Sequence, residues 1–290
     1  MTKSECRYPK EFPSPNDETI VARFRFGHLS FLRASSFAGI PGVVPRDRAG
    51  QRCLPSVERL DWRVVRLVLF DIDGTLIYTG GAGVKAFGCA FAAEFNIPNG
   101  TERLKFSGRT DTGLAREFFL QNRLEPSPEN FRRFFDSYVF WLDHLLTQTR
   151  GGVFPGVWQF IHELHALPGP PAIGLLTGNI RLGAEIKLRH FELWEVFQTG
   201  AFADDHEDRN QIAALARQRG SRLLDSPLRG EEILVIGDTP RDIECARAID
   251  AKILAVATGG ARFDELKAHH PDWLVEDFTK VKAKEVCSEG

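Results

Sequence analysis

The sequence has few cysteines, no long apolar run and almost no net charge, and each shortage excludes a class of protein. Its five cysteines are scattered and form no Cys-Xaa-Xaa-Cys pair, which argues against a zinc site or a disulfide framework and favours a reducing compartment. No apolar run approaches the roughly 20 residues that span a bilayer. A formal net charge of -2 gives no global field that would attract nucleic acid or an anionic membrane. We therefore expect a cytoplasmic protein without a nucleic-acid or membrane partner.

Methionine is scarce too, because Met1 is the only one in the chain. Residues 1-62 are interrupted by prolines, are rich in arginine, and keep no helical or strand period for more than a few residues. We expect them to form a poorly ordered N-terminal extension. A targeting peptide is the alternative, and the acidic residues and missing apolar segment count against it. We hypothesise that the extension is a gene-start artefact and that the functional protein begins near Val64 or Val65.

A short apolar run at residues 67–70 leads directly into two carboxylates, Asp71 and Asp73, and a glycine turn at Gly74. A run without polar alternation is typical of a strand buried on both faces of a parallel sheet. In an extended chain residues i and i+2 share a face, so the two acids are expected to point the same way. Two carboxylates this close repel each other unless they share a cation or one is protonated. The pattern predicts a divalent-metal site, an acid/base pair, or both.

Helical periodicity follows, with helices expected at about 84–95, 111–122 and 128–149. An aromatic stripe on the last of these is interpreted as hydrophobic core. Thr110 or Asp111 is expected to cap the second helix. Arg109, beside a glycine turn at that helix start, is either a receptor for a carboxylate or phosphate or a solvated surface arginine.

Two later strands also end in polar residues. The run at 172–176 ends in Thr177 and Gly178, which is either simple strand preference or a phosphate seat made of a hydroxyl, a free amide and a helix N-terminus. The run at 232–237 ends in Asp238, and Asp242 follows four residues later. Asp242 alone could be a carboxylate favoured by the helix dipole.

Three of these motifs, in this order, resemble signatures of the haloacid-dehalogenase-like (HAD) superfamily. The motif at 71–75 (DIDGT) resembles the first, Thr177 the second and 237–242 (GDTPRD) the fourth. The resemblance covers about residues 65–278. It implies an α/β fold with a Rossmann-like parallel sheet core and an inserted helical cap domain of the C1 class.

The domain boundaries expected from this resemblance follow the change from strand-helix alternation to helices. They are an N-terminal extension at 1-62, an α/β core at 63-80 and 155-280, a helical cap at 81-154 and a tail at 281-290.

The third, basic signature departs from the family pattern, because no Lys-Pro occurs in the expected place. Lys187 lies about eight residues into its helix, roughly 12 Å along an axis that leads away from the strand ends. Arg209 lies at a helix start, where the active edge of such a sheet is expected. We favour Arg209 on this geometry and keep Lys187 as the alternative phosphate-binding residue.

The resemblance also implies a mechanism and a cofactor, Mg²⁺. Asp71 would be the nucleophile that forms an aspartyl-phosphate, and Asp73 the general acid and base. Asp71, Asp238 and the main-chain carbonyl of Asp73 would hold the metal, while Asp242 would orient the metal ligands or the basic residue. Thr177 and Gly178 would hold phosphoryl oxygens, and Arg109 in the cap would contact the substrate.

The predicted function is a phosphomonoesterase acting on a small organic phosphate, similar to phosphoglycolate phosphatases. Relatives that cleave carbon–halogen or carbon–phosphorus bonds lack the second acid, here Asp73, and the ion-pumping relatives carry threonine in its place. A sugar phosphomutase shares all four signatures and is the enzymatic alternative. A catalytically silent domain that serves as a binding module is the alternative from another class.

Overall fold

The computed structural model describes residues 65–98 and 100–287 of the chain. The predicted N-terminal extension, residues 1-62, lies outside these residues, as does the end of the predicted tail, 288–290. A search of the described helices finds none with the length and hydropathy that a membrane crossing requires.

A six-stranded sheet, parallel throughout, forms the centre of the fold, with the strand order β5-β4-β1-β6-β7-β8. Strand β1 (Leu67–Phe70) is central and fully buried, and Val68 is in register with Ile173 on one side and Leu234 on the other. The other strands are β4 (Ala172–Leu176), β5 (Thr199–Ala201), β6 (Ile233–Gly237), β7 (Lys252–Val256) and β8 (Trp273–Val275). The predicted Rossmann-like α/β fold is confirmed.

Helices cover both faces of this sheet. Val68 and Phe70 point into one hydrophobic cluster and Leu67 and Leu69 into the other, as expected when side chains alternate along a strand. The helices packed in the first cluster are α4 (Val157–His165), α5 (Arg181–His190) and α9 (Ala283–Cys287). Those packed in the second are α6 (Arg209–Leu223), α7 (Pro240–Arg247) and α8 (Phe263–Ala268). Because all the strands run in the same direction, their carboxyl ends lie at one edge, where such folds bind ligands.

Three helices, framed by two short strands, are inserted between β1 and α4. The helices are α1 (Ala82–Phe95), α2 (Asp111–Gln121) and α3 (Pro128–Leu146), and the strands β2 (Ile77–Tyr78) and β3 (Gly152–Val153) pair antiparallel. The helix α3 ends three residues earlier than expected. The three helices share a third hydrophobic cluster rich in aromatic rings, which includes Phe134, Tyr138 and Trp141 of α3. Most of the aromatic stripe is therefore core, while Tyr138 also lines a cavity. The boundaries of the cap domain stay a prediction.

Candidate active site

The chain leaves β1 through Asp71 and turns at Gly74. The Asp71 amide donates to the Ile236 carbonyl of β6 at 2.9 Å, so its backbone is fixed to the neighbouring strand. Its side chain is buried, whereas the side chain of Asp73 is 42% exposed. Gly74 adopts a φ of +86°, and a Cβ there would overlap the carboxylate of Asp238. A glycine is needed here both for the turn and for the close approach of the Asp238 carboxylate.

Strand β6 delivers Asp238 to the same place. Its Oδ1 accepts a hydrogen bond from Thr75 Oγ1 at 3.1 Å and its Oδ2 accepts one from the Gly260 amide at 3.0 Å. Burial, together with the charges of Asp242 and Asp71, raises its pKa well above the ordinary value. The carboxylate is thus held rigidly, in a position where it is costly to ionise without a cation.

Asp242 lies in the first turn of α7 and is completely buried. Its Oδ2 accepts hydrogen bonds from the Thr239 amide at 3.0 Å and the Thr239 hydroxyl at 2.7 Å. Its Oδ1 is ion-paired with Nη2 of Arg209. Both oxygens of Asp242 therefore already have protein partners.

Carboxylate oxygens of Asp71, Asp238 and Asp242 lie within 4.8 Å of one another, and all three residues are buried. Burial raises the pKa of Asp71 to about 6, although Arg209 lowers it. Clustered buried carboxylates are stable as anions only beside compensating positive charge. An all-oxygen donor set with this charge suits a hard divalent cation such as Mg²⁺, so the residues fit the metal that the sequence predicts.

Arg209 begins α6 and supplies part of that positive charge. Its Nη2 lies 3.6 Å from Asp71 Oδ2 besides pairing with Asp242. The side chain is 8% exposed, and the two carboxylates raise its pKa against the effect of burial. The structure thus places Arg209 at the strand ends, as the sequence predicts, and its role as phosphate ligand stays a prediction.

Lys187 also reaches the site, contrary to the geometric reason for preferring Arg209. Its Nζ lies 2.6 Å from Asp73 Oδ2 and 2.6 Å from the side-chain oxygen of Asn179, and its side chain is 5% exposed. The distance along the helix axis was a poor guide, because helical side chains lean towards the N-terminus and the lysine stem is long. Lys187 therefore lies in the site and not on a solvated surface, and the choice between the two cations stays open.

The two acids after β1 consequently have different charged partners. Asp71 lies beside Arg209 and the other buried acids, whereas Asp73 accepts from Lys187 and from Asn179 Nδ2 at 2.8 Å. Both line the same cavity. The sequence predicts that the two acids point the same way, because residues i and i+2 share a face of an extended strand. That rule does not apply to Asp71 and Asp73, because β1 ends at Phe70, before both of them.

At the end of β4, Thr177 is fully buried and Gly178 lines the cavity. The Thr177 hydroxyl accepts from the Asn179 amide at 3.3 Å and from Asn179 Nδ2 at 2.9 Å. Asn179 links Thr177, Asp73 and Lys187, and sequence reasoning missed it. The signal was its place three residues after the end of β4, in the short loop that leads into α5.

Two charged residues at the start of helix α2, Arg109 and Asp111, line the cavity. Thr110 is its N-cap, accepting from the Gly113 amide at 3.3 Å. Arg109 lines the cavity, and its Nη1 lies 2.5 Å from Glu117 Oε2. Asp111 was considered only as a cap, yet it is buried and accepts a hydrogen bond from the Ile180 amide at 2.9 Å. Its amide in turn donates to the Gly178 carbonyl at 2.7 Å, so α2 is joined to the loop after β4.

These side chains surround one cavity of about 300 Å³ between the strand ends and the inserted helices. Of the predicted site residues, Asp71, Asp73, Gly178, Lys187, Arg209, Asp238 and Arg109 line it. Thr177 and Asp242 lie behind this lining, in contact with residues that form it. The strand-end loops therefore bring together acids, cations and a free amide around a space of substrate size.

The fold and this arrangement of acids at the strand ends define a haloacid dehalogenase-like hydrolase, and a family model with that description matches residues 68–256. The chain belongs to this family.

Among similar proteins is a putative pyrophosphatase PpaX of Caldanaerobacter subterraneus subsp. tengcongensis, 26% identical over 219 residues, which cover 75% of this chain and 93% of the relative. A phosphoglycolate phosphatase of Photorhabdus laumondii is 25% identical, over 75% of this chain and 91% of the relative. The fold is shared with the crystal structure of CbbY from Rhodobacter sphaeroides in complex with xylulose-(1,5)bisphosphate, at a TM-score of 0.63 and 19% identity, covering 78% of this chain and 100% of that chain.

Proposed function

We propose that this hydrolase is a Mg²⁺-dependent phosphomonoesterase that acts on a small organic phosphate through an aspartyl-phosphate intermediate on Asp71. The observation that carries the proposal is the convergence of Asp71, Asp238 and Asp242 within 4.8 Å, beside Arg209, at the wall of a cavity. Family membership supports a hydrolytic reaction, and similar proteins are named as phosphatases and pyrophosphatases. The buried free cysteines Cys245 and Cys287 suit the reducing cytoplasm that we propose as its location.

Asp71, Asp238 and the main-chain carbonyl of Asp73 would hold the metal ion. When bound, Mg²⁺ supplies positive charge that screens the phosphate dianion from the surrounding carboxylates. Asp242 is assigned a positioning role instead, because it is ion-paired with Arg209 and lies behind the cavity lining, which includes Asp71 and Asp238. It keeps the Arg209 guanidinium aimed at the place where Asp71 meets the phosphate.

The residues then divide the chemistry between them. A carboxylate oxygen of Asp71 forms a bond to phosphorus while the bond from phosphorus to the ester oxygen breaks, and Asp73 gives its proton to that oxygen. In the second step Asp73 takes a proton from water, whose oxygen attacks phosphorus and releases Asp71 and inorganic phosphate. Arg209, the Gly178 amide and the Thr177 hydroxyl would hold phosphoryl oxygens.

The contacts of Asp73 suit this exchange of protons. Lys187 at 2.6 Å holds its carboxylate in place, and the exposed fraction of its side chain leaves room for water. Asp71, beside Arg209 in a buried site, is the better nucleophile because its lone pairs are poorly hydrated.

The test is hydrolysis of p-nitrophenyl phosphate by the purified full chain, with Mg²⁺ and with a chelator. We expect Mg²⁺-dependent release of inorganic phosphate without any bisphosphate activator, which also separates a phosphatase from a phosphomutase. Asp71→Asn should lower kcat by about a thousandfold or more. Asp136→Asn, which removes an exposed acid on α3 that does not line the cavity, is the matched control. Full activity of Asp71→Asn would refute the proposal.

A further inference from the structure

The cavity has two chemically different ends. At the strand ends the wall is made of acids, cations and the Gly178 amide. The inserted helices and their loops supply a wall that is mainly apolar and aromatic, consisting of Val84, Phe87, Phe106, Leu114 and Tyr138. Because the phosphate is held at the strand ends, the second wall faces the leaving group of the ester.

The cations that line the cavity are already paired with carboxylates. Arg109 Nη1 lies 2.5 Å from Glu117, and Lys187 Nζ lies 2.6 Å from Asp73. Arg209 pairs with Asp242 and Asp71 at the phosphate end. Among the described lining residues, no lysine or arginine is left to neutralise a second anionic group on the substrate.

Asp111 adds a negative group to the cavity wall where the start of α2 meets the loop after β4. It lines the cavity and is 8% exposed, and its Oδ2 is occupied by the Ile180 amide. In the described part of the chain no donor bonds its Oδ1. Burial raises the pKa of Asp111 to about 7, and the nearby Lys187 lowers it. Above that pH the group is an anion at the cavity wall, with one oxygen available to accept a hydrogen bond.

We propose that the cavity selects phosphate monoesters of uncharged alcohols, and that Asp111 is the specificity-determining residue that accepts a hydrogen bond from a hydroxyl or N–H group of the leaving group. The inference rests on the phosphatase function proposed above. An ester that carries a carboxylate or a second phosphate would place that charge near Asp111 without a free cation, so it is disfavoured. The apolar wall takes the carbon skeleton of the alcohol.

A matched pair of substrates tests this inference. Phosphoglycolate and 2-hydroxyethyl phosphate have the same number of carbons and differ in a carboxylate against a hydroxymethyl group. At about pH 8, where Asp111 is ionised, we expect the wild-type kcat/KM to favour 2-hydroxyethyl phosphate by about tenfold or more. Asp111→Asn keeps an acceptor for the Ile180 amide and should reduce this ratio by about tenfold. Asp136→Asn should leave the ratio unchanged.

A second variant tests the charge argument by freeing a cation at the cavity wall, with Asp111 left unchanged. Glu117→Gln removes the carboxylate that pairs with Arg109 and frees a cation at the cavity wall, so it should also lower the ratio by improving phosphoglycolate. Since Glu117 is a partly exposed residue of α2, this variant decides the question even if Asp111→Asn does not fold.

The outcomes separate the two proposals. Hydrolysis that favours phosphoglycolate in the wild type, or an unchanged ratio in folded Asp111→Asn, would overturn the specificity inference and leave the phosphatase intact. An unchanged ratio in Glu117→Gln would likewise count against the charge argument. A wild-type protein that hydrolyses neither ester nor p-nitrophenyl phosphate would overturn the phosphatase function itself.

Discussion

Replacing Arg209 with methionine should destabilise the folded chain by about 3–5 kcal/mol, because it leaves buried acids without their cation. Its Nη2 lies 3.6 Å from Asp71 Oδ2, and such a pair attracts by about 5 kcal/mol at an effective dielectric constant of about 20. Asp242, which is completely buried, loses its ion pair as well. Methionine keeps most of the apolar stem, so the loss is mainly one of charge.

Lys187→Met is the matched comparison and should cost only about 1 kcal/mol. The lysine is as well buried as Arg209, but its partner Asp73 has a side chain that is 42% exposed. Water can therefore solvate Asp73 once the ammonium is gone. Urea unfolding followed by tryptophan fluorescence, in the absence of Mg²⁺, gives both free energies of unfolding.

The destabilisation by Arg209→Met should also depend on pH. Burial already raises the pKa of Asp71 from 3.8 to about 6 in the presence of Arg209, whose charge lowers it. Without Arg209 this pKa rises further, and an acid whose folded pKa is raised loses stability as the pH rises through the interval between its unfolded and folded values. The difference from the wild type should be largest near pH 8 and shrink towards pH 5.

Equal costs for the two variants, or a difference that grows on acidification, would refute this electrostatic reasoning. Equal free-energy costs for the two variants would mean that Arg209 is not the charge that keeps the buried acids ionised.

Three other predictions follow from the geometry. Gly259→Ala should lower Mg²⁺-dependent activity by about a hundredfold, since the added Cβ would overlap the Asp238 carboxylate and lie 2.8 Å from the Gly74 Cα. The control is Gly169→Ala, where an added Cβ meets nothing within 4 Å. Equal activities of the two variants would contradict the packing argument. The free energy of unfolding should fall by up to about 4 kcal/mol as the pH rises from about 4 to about 7 through Asp111, whose proton is bound more tightly in the folded state. Lys187, Asp73, Asp204 and the Ile180 amide all act on this carboxyl; Asp111→Asn should flatten that part of the pH profile in urea unfolding, and an unchanged slope would exclude Asp111 as its source. Mg²⁺ at about a hundred times its Kd should stabilise the folded chain by about 2.7 kcal/mol, and Asp238→Asn should abolish this shift in thermal unfolding; a full shift in the variant would place the metal elsewhere.

The sheet could be predicted because strands buried on both faces leave continuous apolar runs in the sequence. The runs at 67–70, 172–176 and 232–237 became β1, β4 and β6, which are neighbours in the sheet. Since parallel strands end at one edge, the residues that follow these strands, Asp71, Thr177 and Asp238, lie at the same edge of the sheet. The inserted helices were visible from their period, with an error of a few residues at the end of α3.

The parts that could not be predicted depend on side-chain reach and on contacts between distant segments. The rise of its helix alone predicts that Lys187 is too far away, because the contact with Asp73 depends on the direction and length of the side chain. Asn179 and Asp111 gain their roles from partners up to 106 residues away in the chain, such as Asp73. Asp111 has the pattern of an ordinary helix start, and only the packing of α2 against the loop after β4 makes it a buried acid.

The proposed aspartyl-phosphate on Asp71 is tested most directly by locating the phosphoryl group on the enzyme during turnover. The full chain is mixed with a phosphate ester and Mg²⁺, quenched, reduced with borohydride and mapped by peptide mass spectrometry. We expect the reduced residue to be Asp71, and we expect Asp71→Asn to give no modified peptide. Modification at another residue, or steady hydrolysis by Asp71→Asn, would contradict this proposal.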